Sequence, residues 1–158
     1  MLKENQAAPD FTLPEMDGAE KHFYDDPRAA IFVFYKFNCP TCQLALPFIQ
    51  KIFDAYGDAY NFVSIAQDGP EKTRSFRETF GISLPALLDM TPYPVSTSYQ
   101  LQTVPSILFV NPDRIIRFAG EGFVKQELLN LADVLAEQTG RPQIDLFGDT
   151  PVPEIKPG

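Results

Sequence analysis

The chain has no tryptophan, one histidine and only two cysteines in 158 residues. Two cysteines cannot build a disulfide framework, which takes more of them in a shorter chain. Two thiols are also too few for a closed zinc site, and His22 lies 17 positions before Cys39 with no ligand-like spacing. Basic residues are outnumbered 13 to 21, giving a net charge of −8, which speaks against nonspecific nucleic-acid binding and against an anionic membrane surface as partner. No apolar run reaches the roughly 18 residues of a membrane-spanning helix, and Met1–Gln6 lacks the apolar core of a signal peptide. The expected location is therefore cytoplasmic as the chain is written, or periplasmic or otherwise extracytoplasmic if a leader has been cut away.

What is present is a hydrophobic fraction of 44% with 14 phenylalanines, enough for one packed core rather than disorder. The chain is organised around one stretch, from Phe32-Val33-Phe34-Tyr35 through Asn38-Cys39-Pro40-Thr41-Cys42 to Phe48-Ile49. Its first part, rich in aromatic and β-branched residues, predicts a buried strand. The pattern breaks at Asn38-Cys39-Pro40, and a helical spacing of Leu44, Phe48 and Ile52 follows. Pro40 suits a first helical turn, which has no use for its missing N–H. Both cysteines sit at this junction, three residues apart. A thiol at a helix start meets unpaired N–H groups and the positive end of the helix dipole, so Cys39 is expected to favour thiolate, with Cys42 one turn deeper. The pair reads as a dithiol/disulfide centre.

In chain order, Ala8–Pro14 predicts a short extended segment, Asp17-Gly18 a turn and Lys21-His22-Phe23-Tyr24 a returning strand, together an N-terminal β-hairpin. The strand near 30–36 leads into a helix ending at Gly57, with Pro47 inside it as an expected kink. Tyr60–Ala66 predicts a second strand. A helix opens at Gln67-Asp68-Gly69-Pro70 and closes at Gly81; Leu84–Leu88 is apolar but of uncertain type, and a brief helix follows around Val95–Tyr99. Ser106–Val110 and Ile115–Phe118 flank the turn Asn111–Arg114, and 124–139 form a final helix with Leu128, Leu131, Ala132 and Leu135 on its buried face. This order implies an α/β fold with one mixed sheet and helices on both faces. Residues 142–158 hold four prolines and two glycines and predict an extended C-terminal tail, more solvated than docked, although Ile144, Leu146 and Phe147 offer docking groups. The expected division is a domain at 1–140 and a tail at 141–158, with no repeat and no inner boundary.

The pattern resembles the thioredoxin superfamily to about Gly140, and within it the TlpA-like thiol–disulfide oxidoreductases related to the AhpC/TSA peroxiredoxins. Ala8-Pro9-Asp10-Phe11-Thr12-Leu13 looks like their A-P-D-F-x-L segment, Cys39-Pro40-Thr41-Cys42 matches the active-site C-x-x-C, and Pro47 matches the proline of the active-site helix. Thr103-Val104-Pro105-Ser106 stands where these proteins place a cis-proline loop. The resemblance implies a thioredoxin-like fold, catalytic Cys39 and Cys42, and a cis Val104–Pro105 bond that brings the Val104 backbone beside the sulfurs to pair with a substrate segment. Phe37, Pro40 and Thr41 join Val104 and Pro105 as candidate substrate-binding residues. Two departures stand out. The buried acid that typical thioredoxins carry six positions before the first cysteine is replaced by Val33, leaving Lys36 or water as stand-in. The intervening pair is Pro-Thr, which leaves the redox potential open.

In the chemistry so implied, Cys39 attacks a substrate disulfide, a mixed disulfide forms, and Cys42 resolves it. Neither a cofactor nor a metal is called for. The expected partners are protein thiols and disulfides plus an upstream thiol reductant or oxidant, with no nucleic acid and no membrane insertion. Lys36 is a candidate to stabilise the Cys39 thiolate, against a plain solvated reading. Two alternatives compete. A peroxiredoxin-like peroxidase would need Thr three positions before its cysteine and Pro four earlier; those places hold Lys36 and Phe32 before Cys39, and Cys39 and Tyr35 before Cys42. A noncatalytic Cys-based metal-binding module would use the two sulfurs as soft ligands, but no accessory His or Met supports them.

Overall fold

The computed structural model describes residues 1–158. Thr12–Pro14 (β1) pairs antiparallel with Glu20–His22 (β2) across the Asp17-Gly18 turn. The returning strand is shorter than its sequence suggests, because Phe23–Asp25 winds into a 3₁₀ turn. There the Asp10 carboxylate accepts the Tyr24 N–H at 3.0 Å, giving that donor a side-chain partner in place of a strand neighbour.

Ala30–Tyr35 (β3) is fully buried, and its residues alternate between two cores. Ile31, Val33 and Tyr35 face the long helix Pro40–Tyr56 (α1), while Phe32 and Phe34 face Phe11, Phe23 and Tyr99. Asn61–Ala66 (β4) runs parallel to β3, and the helix Pro70–Phe80 (α2) leads from it to a short strand, Ala86–Leu88 (β5), which settles the type of the 84–88 segment. A single-turn helix, Pro94–Ser98 (α3), precedes Ser106–Val110 (β6), antiparallel to β3, and Ile116–Glu121 (β7), antiparallel to β6. The sheet order is β5-β4-β3-β6-β7. Phe123–Val124 (β8) leads into Lys125–Thr139 (α4), which packs beside α1. Residues from α1, α2 and α4 fill one core, and α3 with the N-terminal hairpin fills the other. This is the mixed, two-faced α/β arrangement with its hairpin.

Residues 141–158 do not run out into solvent, contrary to the reading of their composition. Leu146 and Phe147 are buried, with the Phe147 ring 4.7 Å from that of Phe48 and 6.1 Å from that of Phe123. Tyr56 donates its hydroxyl to the Pro142 carbonyl at 2.7 Å, and Lys51 Nζ reaches the Leu146 carbonyl at 3.2 Å. Ile155–Lys156 (β9) then pairs antiparallel with β8, Phe123 opposite Lys156 and Val124 opposite Ile155.

Candidate active site

β3 ends at Tyr35 and α1 begins at Pro40, so the four residues between them turn the chain at the edge of the parallel pair. Cys39 is the N-cap of α1: its Sγ accepts the Cys42 N–H at 3.1 Å, a role usually filled by Ser, Thr, Asp or Asn. The turn is braced on both sides. The Phe37 N–H donates to Asp68 Oδ2 at 2.6 Å, the Phe37 carbonyl accepts from Gln43 Nε2 at 3.2 Å, and the Cys39 N–H donates to the Lys36 carbonyl at 3.3 Å. Pro47 lies within α1, which continues through it to Tyr56.

Neither cysteine is joined in a disulfide. Cys39 is partly exposed and Cys42 fully buried. Burial is the main cause that pushes the Cys42 thiol well above the ordinary thiol range, and its hydrogen bond with Cys39 adds to the shift. Val33, the residue six positions before Cys39, is buried in the same apolar cluster as Cys42.

The Val104–Pro105 peptide is cis, and Cys39 Sγ donates to the Val104 carbonyl at 3.4 Å. The loop is held from outside the motif: Ser106 Oγ donates to the Thr103 carbonyl at 2.7 Å, and the Gly122 N–H donates to the Pro105 carbonyl at 2.8 Å. Cys39, Pro40, Thr103 and Val104 line a cavity of about 360 Å³ beside the sulfurs. Of the sequence candidates, Cys39, Cys42, Pro40, Thr41, Val104 and Pro105 all converge here. Phe37 is half-buried against the core and acts through its backbone. Lys36 lines a different and larger groove, with Asp68, Glu71 and Lys72, that contains neither cysteine. A second cis bond, Thr91–Pro92, was not foreseen.

Sequence reasoning missed Asp68, Gln43, Gly122 and Pro157, all of which touch this turn or its loop. Gly122 carried a faint signal, a glycine between two apolar segments; the others carried none. No cluster of three or more His, Cys, Asp or Glu side chains is placed to hold a metal ion. No helix is long and apolar enough to cross a membrane.

With this geometry in view, comparison with known proteins is decisive at one level. A profile of the AhpC/TSA family matches residues 5–119, most of the chain. The chain belongs to the AhpC/TSA family. It is 25% identical over 122 residues to the thioredoxin-like protein YneN of Bacillus subtilis, spanning 73% of this chain and 70% of that protein. A putative peroxiredoxin of Mycobacterium tuberculosis is 32% identical over 91 residues, covering 56% of this chain and 58% of the other. Among solved structures, a putative protein disulfide isomerase from Bacteroides thetaiotaomicron superposes with a TM-score of 0.77 at 18% identity, covering 88% and 89% of the two chains. That likeness speaks for the fold, which is thioredoxin-like. This AhpC/TSA protein is TlpA-like and a thiol–disulfide oxidoreductase by its relatives, which include the thiol-disulfide oxidoreductase ResA of Geobacillus thermodenitrificans, 22% identical over 123 residues and covering 76% of this chain and 70% of that protein.

Proposed function

We propose that the chain exchanges its Cys39–Cys42 dithiol with disulfides of protein substrates through a mixed disulfide on Cys39. The observation that carries this reading is the position of Cys39 Sγ, between the Cys42 N–H and the Val104 carbonyl and open to a cavity. The Cys39 thiolate attacks one sulfur of a substrate disulfide, a Cys39–substrate bond forms, and the second substrate sulfur leaves as thiolate. Cys42 loses its proton and attacks Cys39 Sγ; the Cys39–Cys42 disulfide forms and the first substrate sulfur leaves. Two electrons pass from the dithiol to the substrate. An upstream thiol then reduces the pair again.

Pro40, Thr41, Val104 and Pro105 form the substrate-binding rim in this proposal, with the backbone of Val104 pairing to an extended segment. The compartment sets the direction: in a reducing cytosol the couple works as a reductant.

Insulin reduction driven by dithiothreitol, with the Cys39→Ser and Cys42→Ser variants, tests the assignment. Cys39→Ser abolishes exchange and Cys42→Ser accumulates a mixed disulfide; full activity of Cys39→Ser would overturn it. A peroxidase reading has the family relationship in its favour, but Lys36 and Phe32 stand where its Thr and Pro belong. Thiol-dependent loss of hydrogen peroxide that matches the rate of insulin reduction would revive it.

A further inference from the structure

The groove beside Cys39 is already crossed by the protein's own chain. Beyond the Phe147 anchor, β9 pairs with β8, and the Lys125 N–H donates to the Glu154 carbonyl at 2.9 Å. The strand brings Pro157 over the active-site helix, where Thr41 Oγ1 donates to the Pro157 carbonyl at 2.6 Å. Thr41 is only 3% exposed, so its hydroxyl is engaged by this segment. Gly158 then lies directly on the loop: a Cβ there would collide with the Val104 carbonyl and the Thr103 hydroxyl. Gly158 also lines the same cavity as Cys39, Pro40, Thr103 and Val104. Two polar groups positioned to receive an extended substrate, the Thr41 hydroxyl and the Val104 backbone, are thus both covered by residues 157–158.

We propose that residues 152–158 are an intramolecular strap that crosses one end of the substrate groove and must be displaced before a protein disulfide reaches Cys39. This rests on the oxidoreductase reading for the identity of the competitor. The segment suits that role chemically. It is extended and proline-bearing, so little conformational entropy is lost when it seats. It contains no cysteine, so it occupies the groove without entering exchange. Its fit depends on a glycine at the point of closest approach, where any side chain meets backbone. Its hold is modest: two strand pairs, the Lys125 N–H bond to the Glu154 carbonyl, one hydroxyl bond and a half-exposed Lys125–Glu154 ion pair at 3.5 Å, the last worth little in water. A tethered segment needs no more, because its effective concentration is on the order of millimolar.

The test is the rate of Cys39 alkylation by iodoacetamide at pH 7 in the full chain, wild type against Gly158→Leu. A strap seated about nine-tenths of the time slows access roughly tenfold, so the variant reacts roughly tenfold faster. The free peptide Val-Pro-Glu-Ile-Lys-Pro-Gly at about 5 mM slows it again. A variant rate within about twofold of wild type overturns the proposal. A second measurement covers the case in which leucine is absorbed locally. Amide exchange at Lys156, and at Lys125 whose N–H donates to the Glu154 carbonyl, is followed before and after Cys39 is loaded, through an activated disulfide, with a short cysteine-containing peptide. Loss of protection on loading supports displacement; unchanged protection overturns it. Alkylation needs only the thiol, so insulin reduction by the wild-type protein tests the oxidoreductase reading separately.

Discussion

The Gly122 N–H donates to the Pro105 carbonyl at 2.8 Å, while the Lys156 carbonyl lies against the other side of the same glycine. One residue thereby joins the loop beside Cys39 to the strap that crosses it. Gly122 has φ of +72°, and a Cβ there would come within 2.8 Å of the Lys156 carbonyl. Left-handed backbone costs a non-glycine residue about 1–2 kcal/mol. Gly122→Ala is expected to lower stability by at least that amount in urea unfolding and to raise amide exchange at Lys156. Unchanged values in both measurements would mean that the crossing is loose.

Phe147→Ala removes the ring lodged between Phe48 and Phe123. Deleting a buried phenylalanine costs about 3–5 kcal/mol where the site does not collapse. The socket lies at the margin of the core, so the expected loss is about 3 kcal/mol by thermal or urea unfolding. Cys39 alkylation should quicken in the same variant, since β9 loses its upstream anchor.

Burial holds the Cys42 thiol protonated far above neutrality. The sign follows from linkage: the folded state keeps a proton that the unfolded thiol gives up near pH 8.5, so this contribution is fully present below that pH and is lost above it. The reduced protein should lose about 1.4 kcal/mol per pH unit above about pH 8.5 relative to Cys42→Ala. Parallel pH profiles for the two proteins would contradict this. The same proton governs resolution: release of a substrate from Cys39 should accelerate with rising pH through pH 9, measured by stopped-flow on a preformed mixed disulfide.

His22 bonds through both ring nitrogens, to Asp10 and, at 3.0 Å, to Asp25. The hydrogen bond to Asp25, then that to Asp10, raises its pKa above the usual 6.5. A raised value means stabilisation below about pH 6.5 that fades as pH climbs through the folded value. His22→Asn should flatten the dependence of Tm on pH between 6 and 8. A slope identical to wild type would show the hairpin clasp to be energetically silent.

The junction of β3 and α1 was legible because local rules agreed there: an apolar run, a Cys-Pro helix start and a helical stripe point to one structure. The loop at Val104 and Pro105 was legible only through family likeness, since nothing local brings it to the sulfurs. Residues 141–158 were misjudged for a physical reason. Proline and glycine report extended backbone, and the segment is indeed extended. They do not report a socket, which is made by Phe48 and Phe123 from elsewhere in the chain. The Phe23–Asp25 turn was missed likewise, because it depends on Asp10, more than a dozen positions upstream. Asp68, 31 positions from the Phe37 N–H it accepts, is invisible in a linear reading for the same cause.

Val33 puts hydrocarbon where a proton store would otherwise sit. On the proposed mechanism, burial of the Cys42 thiol makes discharge of a captured client slow at neutral pH and quicker as hydroxide rises. Such persistence suits affinity capture: wild-type protein, quenched with acid, should retain its natural clients.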